Sequence, residues 1–179
     1  MLFRSLLALR WTDIDFESGC LMVQRQLQRV SGRGLFFSEP KTAAARRKVV
    51  LGPEMLGALK SQRESVGEMS RRLSGRWQEN DLVFPSSVGT PQDPRNVLAA
   101  FKDVLRKAEL PDIRFHDLRH TAASLMLQQG IHPKVVQERL GHSKINITLD
   151  IYSHVLPSLQ DEAAAKLDSL LVGSGLEAQ

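Results

Sequence analysis

Apolar residues recur at helical spacing in the first ten positions. Phe3, Leu6, Leu7 and Arg10 mark one face, and Leu2 and Leu9 widen the stripe. The run predicts an amphipathic helix, with no Ser, Thr, Asp or Asn ahead of it as a cap. The period then shortens. "CLMVQRQLQRV" alternates as a half-buried strand, "SGRG" supplies a glycine-rich reversal, and "LFFSE" and "RRKVVL" read as two further strands around the loop "PKTAAAR". Residues 20–51 are therefore expected to form a small antiparallel sheet of about three strands.

Helical spacing returns after Gly52. Pro53 stands at the first turn of a helix running through Met55, Leu56 and Leu59 to about Leu73. "SGRWQENDLVFPSSVGTPQ" is a loop holding a short apolar patch. Asp93-Pro94 pairs an N-cap with an N1 proline, and Val97, Phe101, Val104 and Leu105 predict the buried face that follows. "FHDLRHTAASLMLQQG" is a helix closed by Gly130, and "HPKVVQERLGH" is a short one with Pro133 in its first turn. "NITLDIYSHV" comes next. Pro157 separates it from a last helix with Leu159, Ala163, Leu167, Leu170 and Leu171 on one face. The expected class is α+β, mostly α, with residues 1–172 as one domain and 173–179 as a disordered tail.

Composition narrows this picture. Among 179 residues, 42% are hydrophobic and 25% charged, which fits a folded globular domain and argues against disorder. No apolar run approaches a membrane span, and the N-terminal stretch lacks the layout of a secretory signal. The single cysteine, Cys20, excludes an intrachain disulfide and fits a reducing cytoplasm. The net charge of +4 is mildly basic. Its distribution says more: Arg25, Arg29, Arg33, Lys41, Arg46, Arg47 and Lys48 face one acid, Glu39, between residues 21 and 48. Such a block is an electrostatic footprint for nucleic-acid phosphate, or a solvated sheet edge protected by its charges. Charge alone leaves both open.

Candidate chemistry is densest at His116-Asp117-Leu118-Arg119-His120. His116 and His120 stand at i and i+4, the spacing of a zinc pair, but Asp117 replaces the usual glutamate and no third ligand is evident. In the other reading, His116 and Arg119 at i and i+3 point together at an anion, the guanidinium gripping two oxygens at once. A purely structural network is the third. Downstream, "LGHSKINITLDIYSHV" holds His142 and the only tyrosine, Tyr152. A lone tyrosine is usually a packing residue. Among histidines and downstream of Arg119, it becomes a candidate nucleophile whose phenolate needs nearby cations. Lys41, between two strands, can protonate a leaving oxygen or hold phosphate as a point charge.

The runs "HDLRHTAAS" and "LGHSKINITLDIYSHV", after a strand–"KT"–strand hairpin, resemble the tyrosine recombinase (phage integrase) family from about Leu6 to Leu171. The resemblance implies a helical catalytic domain with a small three-stranded antiparallel sheet. It also implies site-specific DNA recombination by strand cleavage and rejoining through a 3′-phosphotyrosyl intermediate. Tyr152 would be the nucleophile, Arg119 the clamp on the non-bridging oxygens, His116 and His142 their assistants, and Lys41 the donor to the leaving 5′-oxygen. Thr42, Arg46 and Arg47 would grip neighbouring phosphates, and Asp117 would orient its neighbours. The implied partners are double-stranded DNA and further copies of the chain on it, with no membrane, no metal and no cofactor. The implied location is the cytoplasm, at the nucleoid.

"SLLALRWTDID" is similar to the family's first motif, Arg-x-x-Glu-Leu, with a departure. Setting Leu6-Leu7 on the motif's leucines puts Leu2 where the first catalytic arginine is expected and Ser5 at the glutamate. Arg4 falls two residues late, about 200° round a helix, and is expected to face elsewhere. The family's preceding DNA-clamping domain is not represented. The expectation is thus a recombinase catalytic domain lacking its first arginine, or a catalytically dead remnant that binds DNA or a partner.

Overall fold

The chain opens with barely more than one helical turn, because a stronger competitor claims the backbone after it. In the computed structural model, which describes residues 2–40, 46–142, 144–155, 164–165 and 167–169, α1 spans Leu2–Leu6. The helix expected to continue to Arg10 stops there. The Leu9 carbonyl accepts from Val83 N at 2.9 Å, Arg10 pairs with Leu82 in a β-bridge, and Trp11 N donates to Asp81 O at 3.0 Å. Asp13 then accepts from Arg10 N at 3.0 Å and caps a short 3₁₀ turn, Trp11–Asp13. Long-range pairing with the patch at residues 82–84 thus outweighs local helical propensity.

The sheet also departs from expectation. The stretch read as one strand from Cys20 breaks after Val23 into β2 (Cys20–Val23) and β3 (Gln26–Val30). β2 lies between β1 (Ile14–Asp15) and β5 (Arg47–Val50) in a three-stranded antiparallel sheet. β3 pairs with β4 (Gly34–Ser38) in a separate antiparallel hairpin, in register from Gln26↔Ser38 to Val30↔Gly34. Arg25 holds the break: its Nη2 donates to Ala8 O at 3.1 Å and its guanidinium stacks 4.6 Å from the Phe37 ring centre. The shift buries both Gln26 and Leu27, which a strictly alternating strand could not do.

The helices fall where their caps and prolines put them. α2 is Pro53–Leu73 and α3 is Pro94–Lys107, whose Asp93 cap accepts from Arg95 N at 3.0 Å. α4 is Asp117–Gln128, α5 is Pro133–Leu140 and α6 is Asn146–Val155. On α3 the expected face turns slightly: Leu105 is buried, Val97 and Phe101 are half-buried, and Val104 is exposed. Residues 164–165 and 167–169 are helical, with Leu167 exposed. Leu159, Ala163, Leu170 and Leu171 of the expected last face lie outside the described residues, as does the 173–179 tail.

Three buried clusters hold these elements. Leu9, Ile14, Leu51, Leu59 and Val83 join the three-stranded sheet to α2 and the long loop. Leu7, Ala8 and Leu27 join the N-terminal segment to the β3–β4 hairpin. Ala123, Leu127, Val136 and Leu140 join α4 to α5, and Ile151 and Tyr152 of α6 pack against them. The third cluster joins the helices that bear Arg119 and Tyr152 and the end of α5 that precedes His142.

Candidate active site

Local sequence chemistry places the first of these side chains. Arg114 and Asp117 form a closed turn before α4, the carboxylate accepting from Arg114 N at 2.9 Å and from its Nη2 at 3.0 Å. That pairing holds the Asp117 carboxyl below the usual carboxylate range and raises the Arg114 guanidinium. Asp117 is therefore engaged with Arg114. Phe115 is gripped between Phe3 of α1 at 4.7 Å and Phe101 of α3 at 5.1 Å between ring centres. His116 at the N-terminus of α4 and Arg119 one turn later thus start from a fixed backbone.

Arg119 is the central finding. It is 8% exposed, and among the described residues no carboxylate, carbonyl or side chain hydrogen-bonds its guanidinium. Burial, with the Arg47 charge adding to it, pushes it down to about 10. A buried guanidinium held beside a second cation is costly unless an anion completes it.

Arg47 comes from β5. Its Nε donates to Arg139 O at 3.0 Å, and Arg139 Nη1 donates to Val50 O at 2.7 Å, so the strand and the end of α5 are laced together. Burial lowers Arg47 as well. Its neighbour Arg46 lies in the bend just before β5, where it is exposed and pairs with Glu39. The two arginines expected to share one phosphate-gripping role therefore stand apart: one at the rim, one inside beside Arg119. Two further bases of the block are engaged too. Arg29 pairs with Asp93, and Arg33 stacks 4.8 Å from the Phe36 ring centre.

His142 follows Gly141, the left-handed C-cap of α5 at φ +69°. The imidazole is buried, its Nδ1 2.8 Å from Thr148 Oγ1 on α6. Burial first, then the positive charges of Arg119, His120, His116 and Arg47, push it down to about 4, so it is neutral at physiological pH. His116 is lowered in the same way, by burial and by surrounding charge that includes Arg119 and His120. His116 and His120 meet edge to face at 5.5 Å. Among the described residues no third His, Cys, Asp or Glu joins them in a group that could hold a metal ion.

Tyr152 is half-buried against the Ala123–Leu140 cluster, and Ala123 is one turn along α4 from Arg119. His116, Arg119, His142 and Arg47 are thus brought together, with Tyr152 on the packed helix beside them. Lys41 and Thr42 lie outside the described residues. Arg4, expected to face away, instead lines a cleft of about 440 Å³ together with Phe3, Arg114, His116 and Arg119. Sequence reasoning passed over Thr148, Arg139 and Arg114. The signal for Thr148 was a hydroxyl among apolar positions of "NITLDI", which needs a partner when buried.

The chain has relatives of known family. Residues 3–158 match the Phage integrase family. Tyrosine recombinase XerC-like of Caldanaerobacter subterraneus is 36% identical over 93% of this chain and 46% of its own length. The ICEBs1 integrase of Bacillus subtilis is 31% identical over 93% of this chain and 45% of its own. The chain therefore spans about half the length of these curated relatives. The Tn1549 transposon integrase, solved in complex with a circular intermediate DNA, superposes with a TM-score of 0.77 at 26% identity, over 93% of this chain and 53% of that one. XerA recombinase superposes at 0.61 with 27% identity. No helix among the described residues is long and apolar enough to cross a membrane. On a family match that spans most of the chain and a fold shared with solved integrases, this protein belongs to the phage integrase family of tyrosine recombinases.

Proposed function

We propose that this domain breaks and rejoins DNA strands through a covalent link to Tyr152. The Tyr152 hydroxyl oxygen attacks a backbone phosphorus, its proton passing to water, as the bond to the 5′-oxygen breaks, leaving a 3′-phosphotyrosyl ester. Lys41 gives its proton to the departing oxygen. A 5′-hydroxyl, on the same or another strand, later reverses the exchange, and because one ester replaces another the cycle calls for no nucleotide.

One observation carries this reading: Arg119, 8% exposed at the wall of a cleft, meets no hydrogen-bonding partner among the described residues and is flanked by Arg47, His142 and His116. Such a pocket fits a phosphodiester, whose equatorial oxygens gain charge in the transition state. Arg46 supplies a rim contact that positions the duplex without reading its sequence. Double-stranded DNA is the partner, and further copies of the chain assemble on it in the manner of the family.

A nicked suicide substrate tests the reading. The expected result is a protein–DNA adduct that survives denaturation and is lost in Tyr152→Phe. DNA retained without any adduct would replace it with a binding remnant.

A further inference from the structure

We infer that Thr148 is a positioning residue that holds His142 as its Nε2–H tautomer, so that the imidazole meets the phosphate as a hydrogen-bond donor and not as a base. The inference takes the identity of the anion from the function proposed above. The tautomer rests on geometry alone.

The backbone of His142 is fixed from both sides, its N–H donating to Gln137 O at 3.0 Å and its carbonyl accepting from Gln137 Nε2 at 3.3 Å. Thr148 is 0% exposed in the first turn of α6, its own N–H donating to Ile145 O at 2.8 Å. The two side chains therefore meet by construction, at 2.8 Å between Thr148 Oγ1 and His142 Nδ1.

A neutral imidazole carries one N–H and one lone pair, so this contact has two arrangements. With the proton on Nδ1, the ring donates to Oγ1 and the threonine hydroxyl hydrogen must find another acceptor. Among the described residues Nδ1 is the one acceptor the hydroxyl meets. That arrangement strands a buried donor, which folded proteins avoid. With the hydroxyl donating to Nδ1, every group is satisfied and the proton sits on Nε2. Arg119 and His120, His116 and Arg47 surround the ring from α4 and β5 and disfavour a second proton. The two guanidinium groups, Arg119 and Arg47, also gather the anion. An Nε2–H suits phosphate oxygens, whereas a lone pair there would repel them. This assignment leaves His142 unable to accept the Tyr152 proton.

Two-bond ¹⁵N–¹H correlation spectra of the histidine-labelled chain at pH 7, without DNA, test the tautomer. The five histidines are resolved by comparison with His142→Gln. The expected result is a protonated-type shift at Nε2 and an unprotonated-type shift at Nδ1 in the wild type and in Thr148→Ser, with a tautomer mixture in Thr148→Val. A wild-type proton on Nδ1 overturns the inference whether or not the valine variant folds. A folded Thr148→Val with an unchanged His142 spectrum overturns it too. On the suicide substrate, Thr148→Val should slow adduct formation and Thr148→Ser should restore it. The spectra require no cleavage, so a chain that forms no adduct refutes the Tyr152 chemistry separately from the tautomer.

Discussion

The Arg47 guanidinium lies against the bare backbone of Gly141: a methyl group there would meet Arg47 Nη1 at 3.0 Å and its Cδ and Cζ at 3.2 Å. Gly141 thus serves two ends. It takes the left-handed cap of α5, and it lets a cation from β5 approach the backbone just before His142.

Gly141→Ala should cost about 1–2 kcal/mol from the left-handed backbone alone and also displace Arg47. Gly130→Ala separates the two effects, because Gly130 has φ +74° with nothing within 4 Å of its added methyl. Urea denaturation should show similar losses for both variants. Only Gly141→Ala should also weaken DNA binding and adduct formation.

Arg119 trades stability for function. Arg119 is 8% exposed, beside Arg47 and with no hydrogen-bond partner among the described residues, so Arg119→Met should raise the unfolding free energy by roughly 1 kcal/mol. The same change should cut strand cleavage by on the order of 10³–10⁵. Denaturation midpoints and single-turnover adduct formation measure the two sides. A destabilised Arg119→Met would mean that the guanidinium has a stabilising partner.

His142 makes stability depend on pH in a defined window. Its folded value, about 4, lies below the ordinary 6.5, so the unfolded chain binds the proton first. Its full contribution is present above about pH 6.5 and is lost as pH falls toward 4, amounting to about 3 kcal/mol at the lower end. His116 shifts in the same direction, whereas Asp15 and Asp117, whose values are lowered, act only at more acid pH. Urea midpoints from pH 7.5 to 4 should fall, and His142→Gln should remove most of the slope.

The N-terminal segment yields the fourth prediction. The resemblance sets Leu2, whose side chain lies outside the described residues, at the family's first catalytic arginine, while Arg4 lines the cleft with His116 and Arg119. Leu2→Arg should raise the rate of adduct formation by on the order of tenfold or more. Arg4→Ala should lower it, and equal rates in Arg4→Ala and the wild type would mean that Arg4 plays no part.

Local rules made the helical half legible. Asp93-Pro94, Pro133 and the glycines at 130 and 141 bound helices through interactions within a few residues, and those helices form where the caps stand. His116, Arg119, His142 and Tyr152 were recognisable as a set because their spacing belongs to those helices and their motifs. The break between β2 and β3 and the short α1 were not legible. Both depend on contacts distant in sequence: Arg25 with Ala8 and Phe37, Leu9 with Val83, Arg10 with Leu82.

The sequence by itself determined the family and the class of fold, since caps, periodicity and motif spacing are local properties of the chain. Tertiary structure alone decided the states of the candidate residues. It buried Arg119 with no counter-ion among the described residues, left Arg46 exposed beside Glu39 while Arg47 turned inward on β5, and closed Thr148 onto His142. Charge and tautomer depend on which groups exclude water and which face one another, and that is settled only when separate elements pack.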